Sequence, residues 1–495
     1  MEHSCGNESQ EDENMAKATT TKKAAKTPAK KTATKSKKTA STAGGKFRLK
    51  VRMYCQGLGD CFLLTLPGKG GKKFYVLIDC GVILGTEDAS NKMAAVVQDI
   101  IKETGGEIDL LAATHEHWDH VSGWVQTRDL WNKKDAKGAD KSKLTVKTVW
   151  LGWTEDPKDN LAKKLKKDRA STAAALATAA CRMQMSGSRA AAEVTNLIEF
   201  FGASGANSTA AAMDEIKSLT NDIRYCLPTD DPVDLADGSV TAFVLGPPHD
   251  EQKIKKINPS KKDQETYGLA EAVFMTDVAM ALMNPAPDGI FDQAFQIPLA
   301  EAKSMPFFQT HYWGEDGDSD EKDQSWRRID GTWLDSSSSM ALALDSATNN
   351  TSLVLAFELD GGDVLLFAAD AQVGNWLSWQ DLSWKVGGKQ VTGPDLLKRT
   401  VFYKVGHHGS HNATLQTLGL EEMEGLKLAF LPVDEKMAVK KRWGKMPLPE
   451  LLDRLKEKTK DCVVRIDQEL PAKLVKSIDE VKDGNGKRLY LEVAL

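Results

Sequence analysis

The chain has 495 residues, enough to bury one large core with insertions or two to three smaller domains. Hydrophobic residues make up 41% of it and charged residues 27%, a balance that excludes a wholly disordered protein. The net charge of −5 is modest, no long apolar run occurs, and the polar start of the chain is not typical of a signal segment. The seven cysteines are scattered without a Cys-x-x-Cys pair, which is typical of a reducing compartment. We therefore expect a cytoplasmic protein without membrane association.

The segment from Lys17 to Lys46 consists almost wholly of Lys, Ala, Thr, Ser and Gly and contains no acidic residue. Because this composition cannot bury a core, we expect residues 1–46 to form a disordered arm and the folded domain to span residues 47–495. The lysines predict an arm that attracts polyanions, nucleic acid above all, through counterion release. A solubilising linker is the alternative, because the arm has no aromatic residue that could stack on bases.

Apolar stretches separated by turn residues predict an antiparallel meander at the start of the folded domain. Its strands are expected at 48–54, 61–66 and 74–78. An amphipathic pattern then predicts a helix over 93–104, followed by strands over 108–114 and 147–153. The strand over 108–114 leads directly into a cluster of histidines.

The middle of the chain alternates between helical and loop-like composition. Segments rich in Ala, Lys and Leu predict helices over 159–201 and 210–221, which we interpret as a helical insertion at about 157–225. A strand over 239–245 follows, and polar residues with scattered Trp and Asp predict a loop insertion at about 286–340. The remaining predicted elements are strands over 352–359, 363–368, 401–405, 426–431 and 462–466 and a helix over 449–458.

Four potential metal ligands follow the strand at 108–114 within six residues: His115, His117, Asp119 and His120. Alternate residues of an extended strand end point the same way, so His115 and His117 can share one cation, while the following turn aims Asp119 and His120 at a second. A water between two cations becomes a nucleophile near neutral pH. The pattern therefore predicts a two-metal hydrolase.

Three further histidines, His407, His408 and His411, lie directly after the predicted strand at 401–405. Six of the nine histidines of the chain lie in these two clusters, which chance composition does not explain. Because a metal site needs ligands from several strand ends, the second cluster is expected to complete the site begun by the first.

Two strand-end carboxylates belong to the predicted site. Asp370 follows the apolar strand at 363–368 and would be costly there unless it is solvated, hydrogen-bonded or bound to a cation. Its place between the two histidine clusters predicts a carboxylate that bridges both cations. Asp79 follows the strand at 74–78, and we interpret it as a residue that orients a metal-bound histidine rather than as a ligand.

The sequence resembles the metallo-β-lactamase superfamily, whose His-x-His-x-Asp-His signature is matched from His115 to His120. The closer similarity is to the hydrolase domain of DNA-uptake competence proteins of the ComEC type and their soluble relatives. It covers roughly residues 47–467, interrupted by the two insertions. The matching segments are 57–62 (Gly-Leu-Gly-Asp-Cys-Phe), 77–81 (Leu-Ile-Asp-Cys-Gly), 350–355 (Asn-Thr-Ser-Leu-Val-Leu), 369–371 (Ala-Asp-Ala) and 404–410 (Lys-Val-Gly-His-His-Gly-Ser).

The resemblance implies an αββα sandwich that holds two divalent metal ions, usually zinc and sometimes manganese. The ligands that it implies are His115, His117, Asp119, His120, Asp370 and His408. Asp119 and His407 are the candidate catalytic residues, since His408 better matches the ligand that precedes a glycine. The residues expected beside the ligands or the substrate are Asp60, Asp79, Lys404, Ser410 and His411.

One ligand of the family pattern is missing from this sequence. Members generally place a further ligand between the first motif and the bridging aspartate, and Gly246 stands where relatives often carry His. His249 is the nearest substitute, and His311 is the other. One metal is therefore expected to be less completely coordinated or less tightly bound than the other.

Three functions remain open from the sequence. The ComEC-like motifs, the basic arm and Lys404 beside the second histidine cluster favour a phosphodiesterase or nuclease. The missing ligand and the acidic balance of the remaining chain leave room for a hydrolase of a small ester, lactone or phosphoester. The third function is a non-catalytic binding protein that kept the fold and lost the chemistry. Loops and insertions around a shared metal centre set specificity in such folds, so the motifs do not name a substrate.

Overall fold

Runs of Val, Ile, Leu and Phe form two large mixed sheets in this protein. A computed structural model of the chain describes residues 48–131, 144–185, 208–256, 297, 299–313, 344–441, 443 and 445–495. The predicted arm at 1–46 lies outside the described residues, as do residues 186–207 of the predicted helical insertion and 314–340 of the predicted loop insertion.

The larger sheet has eight strands and contains both the first and the last strand of the described chain. In sheet order the strands are β16 (Ile478–Lys482), β17 (Arg488–Ala494), β1 (Lys50–Tyr54), β2 (Phe62–Pro67), β3 (Lys73–Ile78), β4 (Glu107–Ala113), β5 (Thr145–Gly152) and β6 (Ile223–Cys226). The strands from β16 to β3 are antiparallel, and those from β3 to β6 are parallel.

The second sheet has seven strands. In sheet order they are β15 (Val463–Arg465), β14 (Leu428–Leu431), β13 (Thr400–Lys404), β10 (Val364–Phe367), β9 (Val354–Leu359), β8 (Val240–Gly246) and β7 (Val233–Leu235). The strands from β15 to β10 are parallel, and those from β10 to β7 are antiparallel. A separate hairpin consists of β11 (Ser383–Val386) and β12 (Lys389–Thr392).

Helices connect the strands and cover the sheets. They are α1 (Ala89–Thr104), α2 (Trp118–Gln126), α3 (Arg128–Trp131), α4 (Asn160–Met185), α5 (Thr209–Ser218), α6 (Glu251–Lys255), α7 (Leu299–Ser304), α8 (Pro306–Phe308), α9 (344–349), α10 (Val373–Ser378), α11 (Gly393–Lys398), α12 (Glu435–Lys440) and α13 (Pro449–Thr459).

The two sheets share a core between them. Successive side chains of a strand point to opposite faces, so each sheet can bury both of its faces. One buried apolar cluster includes Val51 and Phe62 of the eight-stranded sheet and Phe367 and Phe402 of the seven-stranded sheet. The ring centroids of Phe62 and Phe367 are 5.7 Å apart.

The opposite face of each sheet packs against helices. Leu77 of β3 belongs to a second buried cluster that includes Met93 of α1. Tyr403 of β13 belongs to a third cluster, in which its ring centroid lies 6.1 Å from that of Trp376 of α10. Apolar burial of this kind is the main stabilising contribution to a fold of this size.

The predicted meander, the first helix and the strands that lead into the histidine clusters are confirmed. The strands β1, β2 and β3 pair antiparallel, and α1 includes the predicted 93–104. The strands β4, β10 and β13 form at the predicted places. These segments combine strong apolar patterns with clear turn residues, which is why they could be predicted.

Two predicted insertions need correction. The helical insertion at about 157–225 extends too far, because residues 223–226 form β6 and pair in parallel with β5. The predicted loop at about 286–340 is helical where it is described, since α7, α8 and a π-helix (Gln309–Trp313) occupy 299–313. Pro306 stands at the start of α8, where proline favours a helix rather than breaking it.

A buried arginine joins the first strand to two other elements. Arg52 of β1 is 2% exposed and donates hydrogen bonds to Glu492 of β17 (2.8 Å) and to Asp99 and Glu103 of α1 (2.6 and 3.0 Å). Glu492 is also buried, and it accepts a further hydrogen bond from the partly exposed Lys50 (2.6 Å). Arg52 thereby holds β17 and α1 against β1.

We predict that Arg52→Met lowers the free energy of unfolding by about 3 kcal/mol, because the buried Glu492 and the partly buried Asp99 and Glu103 lose the guanidinium that they share. Lys50→Met, at the exposed end of the same network, is the matched control and should cost less than about 1 kcal/mol. Urea denaturation followed by circular dichroism at neutral pH measures both variants. Equal losses in the two would contradict the role given to Arg52.

Candidate metal centre

The chemically important side chains follow the carboxyl ends of parallel strands in both sheets. The strands β3 and β4 are parallel neighbours in one sheet, and β10 and β13 are parallel neighbours in the other. Asp79 follows β3, His115 follows β4, Asp370 follows β10 and His407 follows β13. Parallel neighbours end at the same edge of a sheet, which is where open α/β sheets form their ligand sites.

Two glycines let the strand ends approach the start of α2. A β carbon on Gly81 would lie 2.4 Å from the carbonyl carbon of Asp119, and one on Gly59 would lie 2.6 Å from its carbonyl oxygen. The backbone N–H of Asp60 donates to that same oxygen at 3.0 Å. This close approach is the physical reason for glycine in the Gly-Leu-Gly-Asp and Leu-Ile-Asp-Cys-Gly segments.

Four buried side chains that follow three strand ends form a group that could hold a metal ion: Asp119, His120, Asp370 and His408. One ligand atom from each lies within 4.8 Å of the others. Asp119 Oδ2 and His408 Nε2 are 3.0 Å apart, and Asp370 Oδ2 and His120 Nε2 are 3.1 Å apart. None of the four is more than 1% exposed. We call these residues the four-donor group.

Hydrogen bonds outside the four-donor group orient its two histidines. His120 Nδ1 donates to Asp79 Oδ2 at 2.8 Å, and His408 Nδ1 donates to the carbonyl oxygen of Pro432 at 2.6 Å. Thr114 donates to both carboxylate oxygens of Asp79, from its backbone N–H (2.8 Å) and its hydroxyl (2.7 Å). Each imidazole therefore turns Nε2 towards the group, which is how a metal-binding histidine is usually held. The predicted role of Asp79 agrees with this geometry.

The charges of the four-donor group shift the pKa values of its members. Burial lowers the pKa of His120, but the carboxylates of Asp370, Asp119 and Asp79 outweigh burial and hold it well above its usual value. Burial also lowers the pKa of His408, but its hydrogen bond with Asp119 and the nearby Asp370 raise the pKa overall. The negative potential that retains these protons also favours a bound cation. Two imidazole nitrogens and two carboxylate oxygens are a donor set that fits a divalent ion.

A second group of possible ligands consists of Asp60, Asp79 and His120. A buried lysine contacts Asp60 of this group. Lys404 is 1% exposed, and its ammonium contacts Asp60 Oδ2 and lies 3.5 Å from Asp370 Oδ1. Burial lowers the pKa of Lys404, but Asp60 and Asp370 outweigh burial and raise it above its usual value, so the side chain stays charged. The ammonium already neutralises Asp60. Lys404 therefore lies beside the carboxylates of the candidate centre, and its predicted contact with substrate stays a prediction.

His115 and His117 form a pair beside the four-donor group. His115 Nε2 lies 3.0 Å from His117 Nδ1, and the ring centroids of His115 and His120 are 4.2 Å apart. Burial lowers the pKa of His117 to about 3. Burial, with the charges of His120 and His117, holds the pKa of His115 well below its usual value. Both imidazoles are therefore neutral at pH 7, the form in which histidine binds a metal.

Four non-glycine residues at the strand ends have left-handed backbone conformations. They are Asp79 (φ 54°), Ala369 (φ 48°), His407 (φ 40°) and His408 (φ 52°). Such a conformation costs about 1–2 kcal/mol per residue, and its concentration in one place is typical of functional sites. The backbone is thus strained where the side chains must converge.

His407 lies beside the four-donor group with its own hydrogen-bond partners. Its Nε2 is 3.9 Å from Asp370 Oδ2, and its Nδ1 is 3.0 Å from Ser410 Oγ. The Ser410 hydroxyl donates to Asn412 Oδ1 at 3.1 Å. Burial lowers the pKa of His407 to about 4. The predicted placement of Ser410 near the site therefore agrees with the structure.

His249, the substitute proposed for the missing ligand, is not brought to the site. Its side chain is 45% exposed, its Nε2 lies 2.8 Å from Asp159 Oδ2, and its ring centroid is 4.2 Å from that of Trp153. Gly246 has a structural reason, since a β carbon there would lie 2.1 Å from Asn375 Oδ1. No histidine fits at position 246. The prediction that His249 is a metal ligand is wrong, because its contacts hold it away from the four-donor group.

Two other predicted histidines also lie outside the ligand groups. Among the described residues, the groups that could hold a metal include neither His311 nor His411. His311 lies in the π-helix at 309–313, where its ring centroid is 4.8 Å from that of Phe307, and His411 is exposed.

One buried acid near the site was missed in the sequence. Asp345 of α9 is 5% exposed, and its Oδ1 lies 3.7 Å from His117 Nε2. Burial and the nearby carboxylates of Asp119 and Asp370 raise its pKa well above the usual value. The available signal was a lone acid in the otherwise small and apolar stretch Met-Ala-Leu-Ala-Leu-Asp-Ser-Ala at 340–347.

This chain matches no protein-family model, no curated protein and no solved structure. None of the helices within the described ranges combines the length and the apolarity that crossing a lipid bilayer would need.

We predict that Asp79→Asn weakens zinc binding by about 10- to 100-fold, because an amide holds the His120 imidazole less firmly than a carboxylate does. Asp453→Asn is the matched control, since Asp453 lies on α13 with a side chain that is 77% exposed. Competition titration against a zinc indicator measures both affinities. Wild-type affinity in Asp79→Asn would contradict the orienting role.

Proposed function

We propose that this protein is a metal-dependent hydrolase of the metallo-β-lactamase fold that cleaves phosphodiester bonds, as a nuclease or phosphodiesterase. The observation that carries the proposal is the four-donor group, in which Asp119, His120, Asp370 and His408 meet within 4.8 Å. These residues come from three separate motifs of the sequence, and they follow in the order in which the superfamily carries its ligands.

The layering of the fold supports the same family. One apolar cluster lies between the two sheets, and two further clusters join the opposite faces of the sheets to helices. Four layers in the order helix, sheet, sheet, helix are what an αββα sandwich requires. The parallel strand pairs of both sheets then end on the candidate centre.

Two divalent cations, zinc in first place and manganese as the alternative, would supply Lewis acidity and an acidified water molecule. The residues of the chain hold and surround them. Asp79 and the Pro432 carbonyl keep Nε2 of His120 and of His408 directed into the four-donor group, where they would hold a cation. Asp119 Oδ1 accepts no hydrogen bond from the described residues, so this oxygen is available to orient an attacking water.

His407 is placed to move a proton. His407 Nδ1 lies 3.0 Å from Ser410 Oγ and 3.5 Å from Gln372 Nε2, so these partners hold the ring on the side away from Nε2. That nitrogen lies 3.9 Å from Asp370 Oδ2, at the edge of the four-donor group. Burial lowers its pKa to about 4, so the imidazole is neutral at pH 7 and would be able to take the proton of the attacking water and return it to the leaving oxygen.

The amino-terminal arm favours a polymeric phosphodiester as the substrate. Residues 17–46 contain ten lysines and no acid, a composition that binds phosphate backbones through counterion release. Such binding would attach a nucleic acid to the chain without selecting its sequence.

We predict that the zinc- or manganese-loaded protein cleaves DNA, RNA or bis-p-nitrophenyl phosphate, and that Asp370→Ala and His117→Ala lower kcat/KM by about a thousandfold or more. The reason is that loss of a cation ligand removes several kcal/mol of charge stabilisation, and each tenfold change corresponds to about 1.4 kcal/mol. Single-stranded DNA, duplex DNA, RNA and the small diester are assayed side by side.

His249→Ala is the matched control for this experiment, because His249 lies away from the four-donor group and its loss should leave the rate unchanged. Turnover of the small diester alone would point to a small-molecule phosphodiesterase. Hydrolysis of p-nitrophenyl acetate or a lactone without any phosphodiester cleavage would overturn the proposal. Metal-loaded protein that hydrolyses none of these substrates would favour a binding protein.

We further predict that deletion of residues 1–45 weakens binding to single-stranded DNA by at least about tenfold at low salt, because about 0.7 counterions are released for each phosphate contact. The dependence of affinity on salt should flatten as well. Fluorescence anisotropy over a salt series measures both quantities, and the rate with bis-p-nitrophenyl phosphate should not change. If the deletion leaves salt-sensitive DNA binding unaltered, the arm is only a linker.

A further inference from the structure

The first turns of α4 (Asn160–Met185) carry a dense group of basic side chains. Residues 160–169 contain four lysines and one arginine but a single acid, Asp168. Residues 47–495 are acidic overall, because the net charge of −5 already includes the ten lysines of residues 17–46. The excess of positive charge on this helix therefore differs from the charge of the rest of the folded chain.

This positive charge does not stabilise the helix that carries it. Lys163 and Lys167 are four residues apart, and like charges at this spacing destabilise a helix. Lysines near the start of a helix also oppose its dipole, and the first turn of α4 contains no acid that would offset them. A bound anion would relieve both repulsions.

The lysines of α4 differ in whether they already have an acidic partner. Within the described residues, the ion pairs of this helix involve Lys164, Lys166 and Arg169. Lys163 and Lys167 are exposed, and no acid in that part of the chain pairs with either of them. Lys166 lies beside them on the helix surface with a side chain that is 51% exposed. We call Lys163, Lys166 and Lys167 the basic face.

The opposite side of α4 holds the basic face towards solvent. Ala162 and Leu165 are buried in one apolar cluster with Trp153 and Ile254. Trp153 Nε1 also donates a hydrogen bond to the carbonyl oxygen of Pro247 at 2.9 Å. The helix is therefore anchored on its apolar side, and its lysines are free to meet a partner from solution.

The topology of the eight-stranded sheet brings α4 to the candidate centre. The strands β4 and β5 are parallel neighbours, so they end at the same edge of the sheet. His115 follows β4, and β5 leads through the short turn of helix Trp153–Glu155 into α4. The start of α4 and the first histidine cluster therefore lie side by side.

Buried ion pairs connect the basic face to the first histidine cluster. Arg169 Nη2 lies 3.2 Å from Oε1 of Glu116, the residue after His115. The same nitrogen lies 3.8 Å from Glu155 Oε1, and Lys166 Nζ lies 3.5 Å from Glu155 Oε2. Lys166 is three residues, or about 4.5 Å along the helix axis, from Arg169. The basic face is therefore close to the metal-binding motif.

We propose that the basic face of α4 binds the phosphate backbone of a nucleic acid and holds the strand beside the four-donor group. The inference rests on the proposed phosphodiesterase function and assigns a polymer, rather than a small diester, as its substrate. A nucleic acid strand carries a negative charge on every phosphate, so it can neutralise neighbouring lysines together. Lysine contacts phosphate as a point charge, so this surface would not select a base sequence.

Lysine footprinting of the full-length protein tests where a strand binds. The probe is a phosphorothioate oligothymidylate, which resists cleavage, at about ten times its Kd. Acetylation of Lys163 and Lys167, followed by mass spectrometry, should slow about tenfold, because only unbound protein reacts. Lys476 and Lys482 are the matched controls, since both are exposed and lie at β16, five strand spacings or roughly 24 Å from β4.

The footprint overturns the proposal if Lys163 and Lys167 are not protected, or if the two control lysines are protected equally. Polyglutamate is the second probe, because it offers carboxylates instead of phosphates. Protection by polyglutamate without protection by the oligonucleotide would reject nucleic acid in favour of an acidic protein partner.

Substitution of the two unpaired lysines gives a second readout. Lys163→Gln combined with Lys167→Gln should weaken oligothymidylate binding at least about fivefold at low salt and flatten its salt dependence by about 1.4, because about 0.7 counterions are released for each phosphate contact. The KM for an unmodified strand should rise in parallel, while the rate with bis-p-nitrophenyl phosphate should not change. The variant should melt at or above the wild-type temperature, because it removes a like-charge pair and keeps good helix formers.

Lys476→Gln combined with Lys482→Gln is the matched control and should change neither affinity nor KM. Unchanged affinity in the α4 variant, or an equal loss in both variants, would refute the role of the basic face.

The outcomes separate this inference from the proposed function. Protection of the basic face in a protein that cleaves no phosphodiester would retain the binding surface and reject the phosphodiesterase. Cleavage of DNA or RNA without protection of Lys163 and Lys167, and with an unchanged KM in the α4 variant, would retain the phosphodiesterase and reject the basic face.

Discussion

The His120 imidazole, held between two buried carboxylates, is the interaction on which the site depends. Its Nδ1 donates to Asp79 at the end of β3, in the eight-stranded sheet, and its Nε2 faces Asp370 after β10, in the seven-stranded sheet. Buried carboxylates are costly when they lose their partner, so this contact fixes the edges of the two sheets relative to each other. His408 joins the arrangement through Asp119 at 3.0 Å. The same contacts that align the sheets therefore place four metal donors together.

Holding the strand ends in this arrangement costs backbone strain and leaves little room. Asp79, Ala369, His407 and His408 adopt left-handed conformations that are strained for a non-glycine residue, and Gly81 lies where any β carbon would collide with Asp119. Burial of the three apolar clusters offsets this cost. Strain and tight packing also limit how far the donors can move, so the centre is organised before any ligand binds.

The sequence predicted the parts of this centre that lie within continuous motifs. The strands before both histidine clusters, the pairing of Asp79 with a histidine and the meeting of Asp370 with the first cluster all followed from apolar runs that end in polar residues.

The failures of the sequence-based predictions have a different physical origin. Asp345 lies in a short helix, and its approach to His117 depends on tertiary packing that no local pattern encodes. His249 was chosen by its closeness in sequence to position 246, whereas Trp153 and Asp159 hold it at the surface. The edge strands β6 and β16 and the strand β17 beside β16 were missed because partly exposed strands have weak alternation.

Charge balance links the metal centre to the stability of the fold. Five buried aspartates surround it: Asp60, Asp79, Asp119, Asp345 and Asp370. Lys404 is a fixed cation beside two of them, Asp60 and Asp370. Without a metal, protons on His120 and His408, whose pKa values are raised, supply further positive charge. A bound divalent cation would displace those protons and pair with carboxylate oxygens of the four-donor group. Because the unfolded chain does not hold these donors together, the free energy of cation binding would add to the stability of the folded state. Occupancy of the four-donor group and the packing of the two sheets would then be linked through His120.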